Sequence, residues 1–139
     1  MAASGAIRRV IVSTAAAPKA IGPYSQAVKA NGMVYLSGQL GLDSKSMNLV
    51  SDSVVEQTKQ ALTNMKHVLE AANSDIASVV KTTVFLPDMN DYPEVNKAYA
   101  EFFPVDPPAR SAVQVARLPK DAKVEIEAIA LAKDTSANL

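Results

Sequence analysis

The chain of 139 residues has no cysteine, no tryptophan and a single histidine, His67. Without cysteine there can be no disulfide, thiolate nucleophile, thiolate metal site or redox motif. One histidine excludes a histidine-pair ribonuclease mechanism, and any serine–histidine–aspartate triad would have to be built on His67. A zinc site would need its ligands from carboxylates almost alone. Net charge is missing too: 14 basic residues balance 14 acidic ones. The chain therefore carries no electrostatic footprint for nucleic acid or an anionic membrane surface. No apolar run approaches the roughly 18 residues that a transmembrane helix requires.

Acid is absent from residues 1–42, which nevertheless hold Arg8, Arg9, Lys19 and Lys29. Organelle transit peptides share that bias, but Arg8 to Val12 already has the β-branched character of a first strand. The charges in Ile7-Arg-Arg-Val-Ile-Val also interrupt any signal-peptide core. The expected location is cytoplasmic. A mitochondrial pool, or a peroxisomal one suggested by the terminal Ala137-Asn138-Leu139, is the alternative.

What is present is a normal globular composition, 48% hydrophobic, in a length suited to one domain spanning residues 1–139. A chain of this size buries roughly 68–70% of its unfolded surface, enough for a core without staples. Residues 7–12 read as a short edge strand. After a loop punctuated by Pro18, Gly22 and Pro23, strands at 24–30 and 33–37 flank Asn31-Gly32, a strong hairpin signal. Gly38 and Gly41 then indicate a tight turn or a backbone that another group approaches closely.

Ser53-x-x-Glu56 opens a helix over 53–72, whose apolar positions recur at helical spacing until Asn73 stops it. His67 falls off the apolar stripe and reads as a solvated position. Residues 79–86 form a strand, and Asp91-x-x-Glu94 with Pro93 starts a second helix to Phe103. On that helix Tyr92, Asn96, Tyr99 and Phe103 share one face, so Asn96 is either a structural amide or a pocket wall. The last stretch, 107–131, reads as two strands joined by a turn at Leu118-Pro119-Lys120-Asp121, and thus as a hairpin. Val124, Ile126, Ala128 and Ala130 share one face of its second strand. Glu125, Glu127, Ile129 and Leu131 share the other. A solvent face would not carry Ile129 and Leu131, so a partner subunit is expected there.

The element order β-β-β-α-β-α-β-β makes this an α+β protein whose two helices cannot cover both faces of six strands. Chemistry is left to Arg110, Glu125, Glu127, four tyrosines and hydroxyl residues such as Ser37 and Ser111. Arg110 suits a carboxylate or phosphate through its planar fork, or else pairs with Asp106. Glu125 could hold a raised pKa and activate water, or else pair with Lys123 or Lys81. Spacing does not separate Glu125 from Glu127.

Five segments carry a resemblance beyond composition. They are Ala20-Ile-Gly-Pro-Tyr-Ser-Gln-Ala-Val28, Tyr35-Leu-Ser-Gly-Gln-Leu-Gly41, Val80-Lys-Thr-Thr-Val-Phe85, Pro108-Ala-Arg-Ser111, and Val115 to Lys120 continued through Val124-Glu-Ile-Glu-Ala-Ile-Ala130. Together they resemble the reactive intermediate deaminase family of RidA type, also called the endoribonuclease L-PSP or translation-inhibitor family. The resemblance implies a chorismate-mutase-like fold, a six-stranded and mostly antiparallel sheet with two helices on one face. It also implies a homotrimer with sites between subunits. The activity implied is hydrolysis of 2-iminobutanoate, 2-iminopropanoate and enamines such as 2-aminoacrylate to 2-keto acids and ammonia, with no cofactor and no metal.

Residue by residue, the resemblance makes Arg110 the carboxylate clamp and Glu125 the group that orients water, as the catalytic pair. Tyr24, Ser37, Gly38, Asn96 and Ala112 become substrate-binding positions. Many family members carry cysteine where Ala112 stands, and an aromatic where Pro107 precedes Pro-Ala-Arg. The expected partners are an imino or enamino acid and two further copies of the chain, with no membrane and no nucleic acid. The competing functions are an endoribonuclease or translation inhibitor acting on mRNA, and a chaperone-like interaction protein.

Overall fold

The computed structural model describes residues 8–134. Residues 1–7, where the transit-peptide alternative would begin, and the terminal Ala137-Asn138-Leu139 lie outside the described residues. Six strands and two helices follow in the expected order: β1 Val10–Val12, β2 Ala27–Ala30, β3 Met33–Leu40, α1 Val54–Ala71, β4 Val79–Leu86, α2 Tyr92–Phe102, β5 Ala109–Gln114 and β6 Glu125–Leu131. They build one mixed sheet with the strand order β1-β2-β3-β6-β4-β5. No described helix is long and apolar enough to cross a membrane.

Local chemistry explains each boundary. Asn31 (φ 53°) and Gly32 (φ 79°) both adopt the left-handed backbone that a two-residue hairpin needs. The Ser53 side chain accepts from the Glu56 N–H and caps α1. At its other end Asn73 takes φ 58°, while the amides of Asn73 and Ser74 return to Glu70 and Leu69. That closes the helix as a Schellman motif. At α2 the expected cap is not made: Asp91 is already helical and makes no side-chain cap bond. A turn of 3-10 helix, Met89–Asp91, runs straight into α2, and Asp88 caps that turn instead.

The sheet corrects one expectation more deeply. β5 and β6 are not a hairpin, because β4 lies between them. Strand β4 pairs antiparallel with β6 and parallel with β5. A parallel neighbour needs a crossover, and α2 supplies it. The turn after Leu118 is real but contains Lys120 and Asp121 at positive φ, and it leads away from β5. Strand β2 is also shorter than expected, whereas β3 runs past Ser37 to Leu40.

Both helices lie on one face. Ile126, Ala128 and Ala130 of β6 are buried there with Val34, Leu36 and Val84 under Leu62, Met65, Val68 and Leu69 of α1. A smaller cluster of Leu40, Leu42, Leu118 and Ala122, with Phe85 against it, closes one end. Gly41 is where the chain crosses α1 most tightly: a Cβ there would stand 2.6 Å from the Gln57 Cα and carbonyl oxygen. Since both are backbone atoms, neither can rotate away. Gly41→Ala is expected to destabilise the fold by about 1–3 kcal/mol, as overpacking does, and urea unfolding would measure it.

Candidate active site

The decisive local feature is a β-bulge in β3. Leu36 pairs with Ala128 and Gln39 with Ile126, so Ser37 and Gly38 together oppose the single Glu127. The extra residue bends the strand and brings the Gly38 backbone under the Glu125 side chain. A Cβ on Gly38 would lie 2.0 Å from Glu125 Oε2 and 2.7 Å from its carboxyl carbon. Only glycine fits. The close approach expected at the glycine pair is thus made twice, by Glu125 over Gly38 and by Gln57 over Gly41.

Glu125 stands at the edge of a cavity of about 340 Å³ that Tyr24, Ser37, Gly38, Lys19 and Glu127 also line. The loop forming its rim is held by Gln26, which is buried. Gln26 accepts from the Thr14 N–H at 2.7 Å and donates to the carbonyls of Thr14 (3.1 Å) and Pro18 (2.8 Å). His67 is only half-exposed, with Nδ1 2.9 Å from the Ala16 carbonyl. It ties the same loop to α1, so it is a strut rather than a solvated position. Ser37 donates to the Ser25 carbonyl at 2.6 Å, and the Tyr24 hydroxyl accepts from the Ile21 N–H at 3.2 Å.

Neither alternative partner engages Glu125. The described ion pairs are Lys29–Asp134, Lys59–Glu101, Arg117–Asp121 and Lys133–Asp75, and Lys123 instead donates to the Asp52 carbonyl. Burial, and secondarily the negative charge of Glu127, push the Glu125 carboxyl above its ordinary value. A carboxylate raised this way is a stronger base toward water than an ordinary glutamate.

Arg110 lies elsewhere. It pairs in register with Thr82, which faces the helices and contacts the Tyr99 hydroxyl at 2.7 Å. Its guanidinium carbon sits 4.8 Å from the Tyr99 ring centre and 5.4 Å from that of Tyr92, and Nη2 donates to the Tyr92 hydroxyl at 2.9 Å. Asp106, the alternative partner, makes no described ion pair with it. Asn96 occupies the same α2 face, its Oδ1 buried without a hydrogen-bond donor among the described residues. Ala112, two residues along β5, turns its methyl to the core.

Strand alternation then decides the geometry. Glu125 pairs with Phe85, three residues along β4 from the Thr82 that pairs with Arg110. An odd step reverses the face. Within one chain Arg110 and Glu125 point to opposite sides of the sheet. The structure therefore brings together Tyr24, Ser37, Gly38 and Glu125 in one cavity, and Asn96, Arg110 and Ala112 at the β5 edge. Sequence reasoning missed Gln26 as the loop anchor and Tyr92 as the partner of Arg110. Spacing did place Tyr92 on the correct helix face.

Among the described residues no group of three His, Cys, Asp or Glu side chains could hold a metal ion.

Comparison with known proteins follows the same lines. The family model described as Endoribonuclease L-PSP matches residues 14–132. A Homo sapiens protein named 2-iminobutanoate/2-iminopropanoate deaminase is 56% identical over 128 residues, covering 92% of this chain and 93% of its own. The Arabidopsis thaliana chloroplastic Reactive Intermediate Deaminase A is 52% identical over 91% of this chain and 68% of its own. The crystal structure of E. coli TdcF with bound serine superposes with a TM-score of 0.84 at 42% identity, covering 88% of this chain and 98% of that one.

Proposed function

The chain belongs to the Endoribonuclease L-PSP family, and we propose that it is an enzyme of the 2-iminobutanoate/2-iminopropanoate deaminase type. Its substrates are 2-imino and 2-enamino acids, and its products are 2-keto acids and ammonia. The single observation that carries the reading is Glu125, its pKa raised by burial and Glu127, lying over Gly38 with no counter-ion among the described residues. Relatives named for this activity support it.

The two half-sites on opposite faces become one site only when Glu125 of one subunit meets Arg110 of the next. The face bearing Glu125 also exposes Tyr35 (47%), Val113 (40%) and Leu131 (49%), which water alone would leave unfavourably wetted. A contact between two different patches is head-to-tail, and repeated copies of it form a ring when the rotation closes. The ring proposed is the homotrimer that the family resemblance implies.

In this assembly Arg110 holds the substrate carboxylate with two parallel N–H donors. Glu125 orients a water against the imine carbon and takes its proton as the oxygen adds. Protonated Glu125 returns that proton to nitrogen, giving the neutral carbinolamine; the hydroxyl proton then passes to the amine, the C–N bond breaks as C=O forms, and ammonia leaves the 2-keto acid. An enamine first takes a proton at its β-carbon and gives one up from nitrogen to become the imine. An imine carbon is already electrophilic, so alignment of water, carboxylate and proton donor supplies most of what the reaction needs. No step calls for a metal or an organic cofactor.

The test couples the purified protein to a dehydratase that releases 2-aminoacrylate, with semicarbazide as the competing trap. Faster keto-acid release and less trapped imine are expected. Decay at the buffer rate would remove the proposal. Ribonuclease activity, the other function in the family's description, has no basic patch or histidine pair in this sequence to support it.

A further inference from the structure

We propose that Tyr92 is a positioning residue for the carboxylate clamp. The proposal rests on the reading of Arg110 as that clamp. A guanidinium on an edge strand has several rotamers and a long apolar stem, and its charge alone does not fix the plane of its fork. Here three contacts fix it. The Tyr99 ring lies 4.8 Å beneath the guanidinium carbon and is itself locked by Thr82 and by a tilted stack on Phe103, ring centres 4.6 Å apart. The Tyr92 ring stands on another side at 5.4 Å.

Ring faces hold a cation at a height but leave it free to turn in its own plane. The Tyr92 hydroxyl, accepting from Nη2 at 2.9 Å, removes that freedom. It is the only hydrogen bond that the Arg110 side chain makes among the described residues. The other N–H donors of the fork are thereby left in one orientation, ready for a carboxylate.

The spacing of Tyr92 and Tyr99, two helical turns apart, puts both rings on the side of α2 that faces β5. Tyr92 sits in the first turn and is more exposed than Tyr99, so it can adjust to the arginine while Tyr99 cannot.

The test is Tyr92→Phe in the full chain, which keeps the ring and removes one oxygen. Its readouts are kcat and KM for imine hydrolysis, and calorimetric binding of pyruvate against pyruvamide, the uncharged amide of the same acid. KM and the pyruvate Kd should rise about five- to twentyfold, as for loss of a hydrogen bond to a charged group. The expected kcat stays within about twofold, and pyruvamide binding is unchanged. A purely structural role would weaken both ligands alike. Unchanged pyruvate affinity, equal weakening of both ligands, or a fall in kcat at constant KM would each overturn the proposal. Arg110→Lys is measured alongside. If it also leaves pyruvate binding intact, the clamp reading itself has failed. If it weakens pyruvate while Tyr92→Phe does not, only the role of Tyr92 has failed.

Discussion

Arg110→Lys is expected to lower kcat/KM by about a hundredfold while the fold and the assembly persist. A lysine ammonium keeps the charge but loses the planar fork, so one of two parallel hydrogen bonds to the substrate carboxylate goes. It also loses the flat surface that rests 4.8 Å from Tyr99 and the Nη2 bond to Tyr92. Loss of a charge-assisted bond together with its preorganisation is worth about 2.5–3 kcal/mol, which is about two orders of magnitude in rate. Stability should hardly move, because Arg110 sits at an edge strand and makes no described ion pair. Steady-state kinetics and gel filtration with light scattering measure the two effects together. Wild-type kcat/KM in this variant would mean that bidentate recognition is wrong.

Glu125→Gln should act in opposite directions on rate and stability. As the proposed acceptor of the attacking water's proton, Glu125 should contribute about two to four orders of magnitude to kcat, which glutamine cannot replace. For stability, burial and Glu127 hold the folded carboxyl above its ordinary value of 4.5, so the folded chain binds this proton more tightly than the unfolded one. Stability linked to Glu125 is therefore full below the ordinary value and declines as pH rises through the raised one. Glutamine removes that penalty. The variant should melt above wild type at pH 8, and the advantage should vanish in acid. The same electrostatics predicts that the acid limb of kcat/KM lies above the ordinary glutamate value. Glu127→Gln, by removing the neighbouring negative charge, should move that limb to lower pH. Thermal melts at two pH values and one pH–rate profile decide both points. A Glu125→Gln protein with wild-type kcat, or one that melts lower at pH 8, would contradict them.

Much of the fold was legible because its signals are local. Ser53 caps α1, Asn73 ends it, and Asn31-Gly32 turns the first hairpin, each through backbone geometry that a few neighbouring residues determine. The alternation of Val124 to Leu131 assigned the faces of β6 correctly, since a strand's period is its own property. Strand neighbours are a different matter. Nothing within Leu118 to Asp121 says that the chain will pass over β4 before entering the sheet, and the expected hairpin failed there.

The site divides in the same way. The glycine pair at Gly38 and Gly41 announced close approaches, but the approaching groups, Glu125 and Gln57, are distant in sequence and came only with the fold. Chemical elimination left Arg110, Glu125 and Glu127 among the candidates, and the family resemblance singled out Arg110 and Glu125. That they face opposite ways depends on the register of β5 and β6 against β4, which no pattern in either strand encodes. Tyr92 was placed on its helix face by spacing alone. Its hydroxyl acquired a partner only when the crossover set β5 beside β4.

The central claim is that each site takes Arg110 from one subunit and Glu125 from another. Mixing the two nearly inactive variants tests it most directly. Arg110→Lys and Glu125→Gln proteins are co-refolded from denaturant at equal concentration, then assayed for imine hydrolysis. In random cyclic assemblies, one interface in about four joins an intact Arg110 to an intact Glu125, so about a quarter of wild-type activity should return. If both residues served a site within one chain, every site in the mixture would still carry a defect. Activity no higher than the mean of the two variants alone would contradict the account.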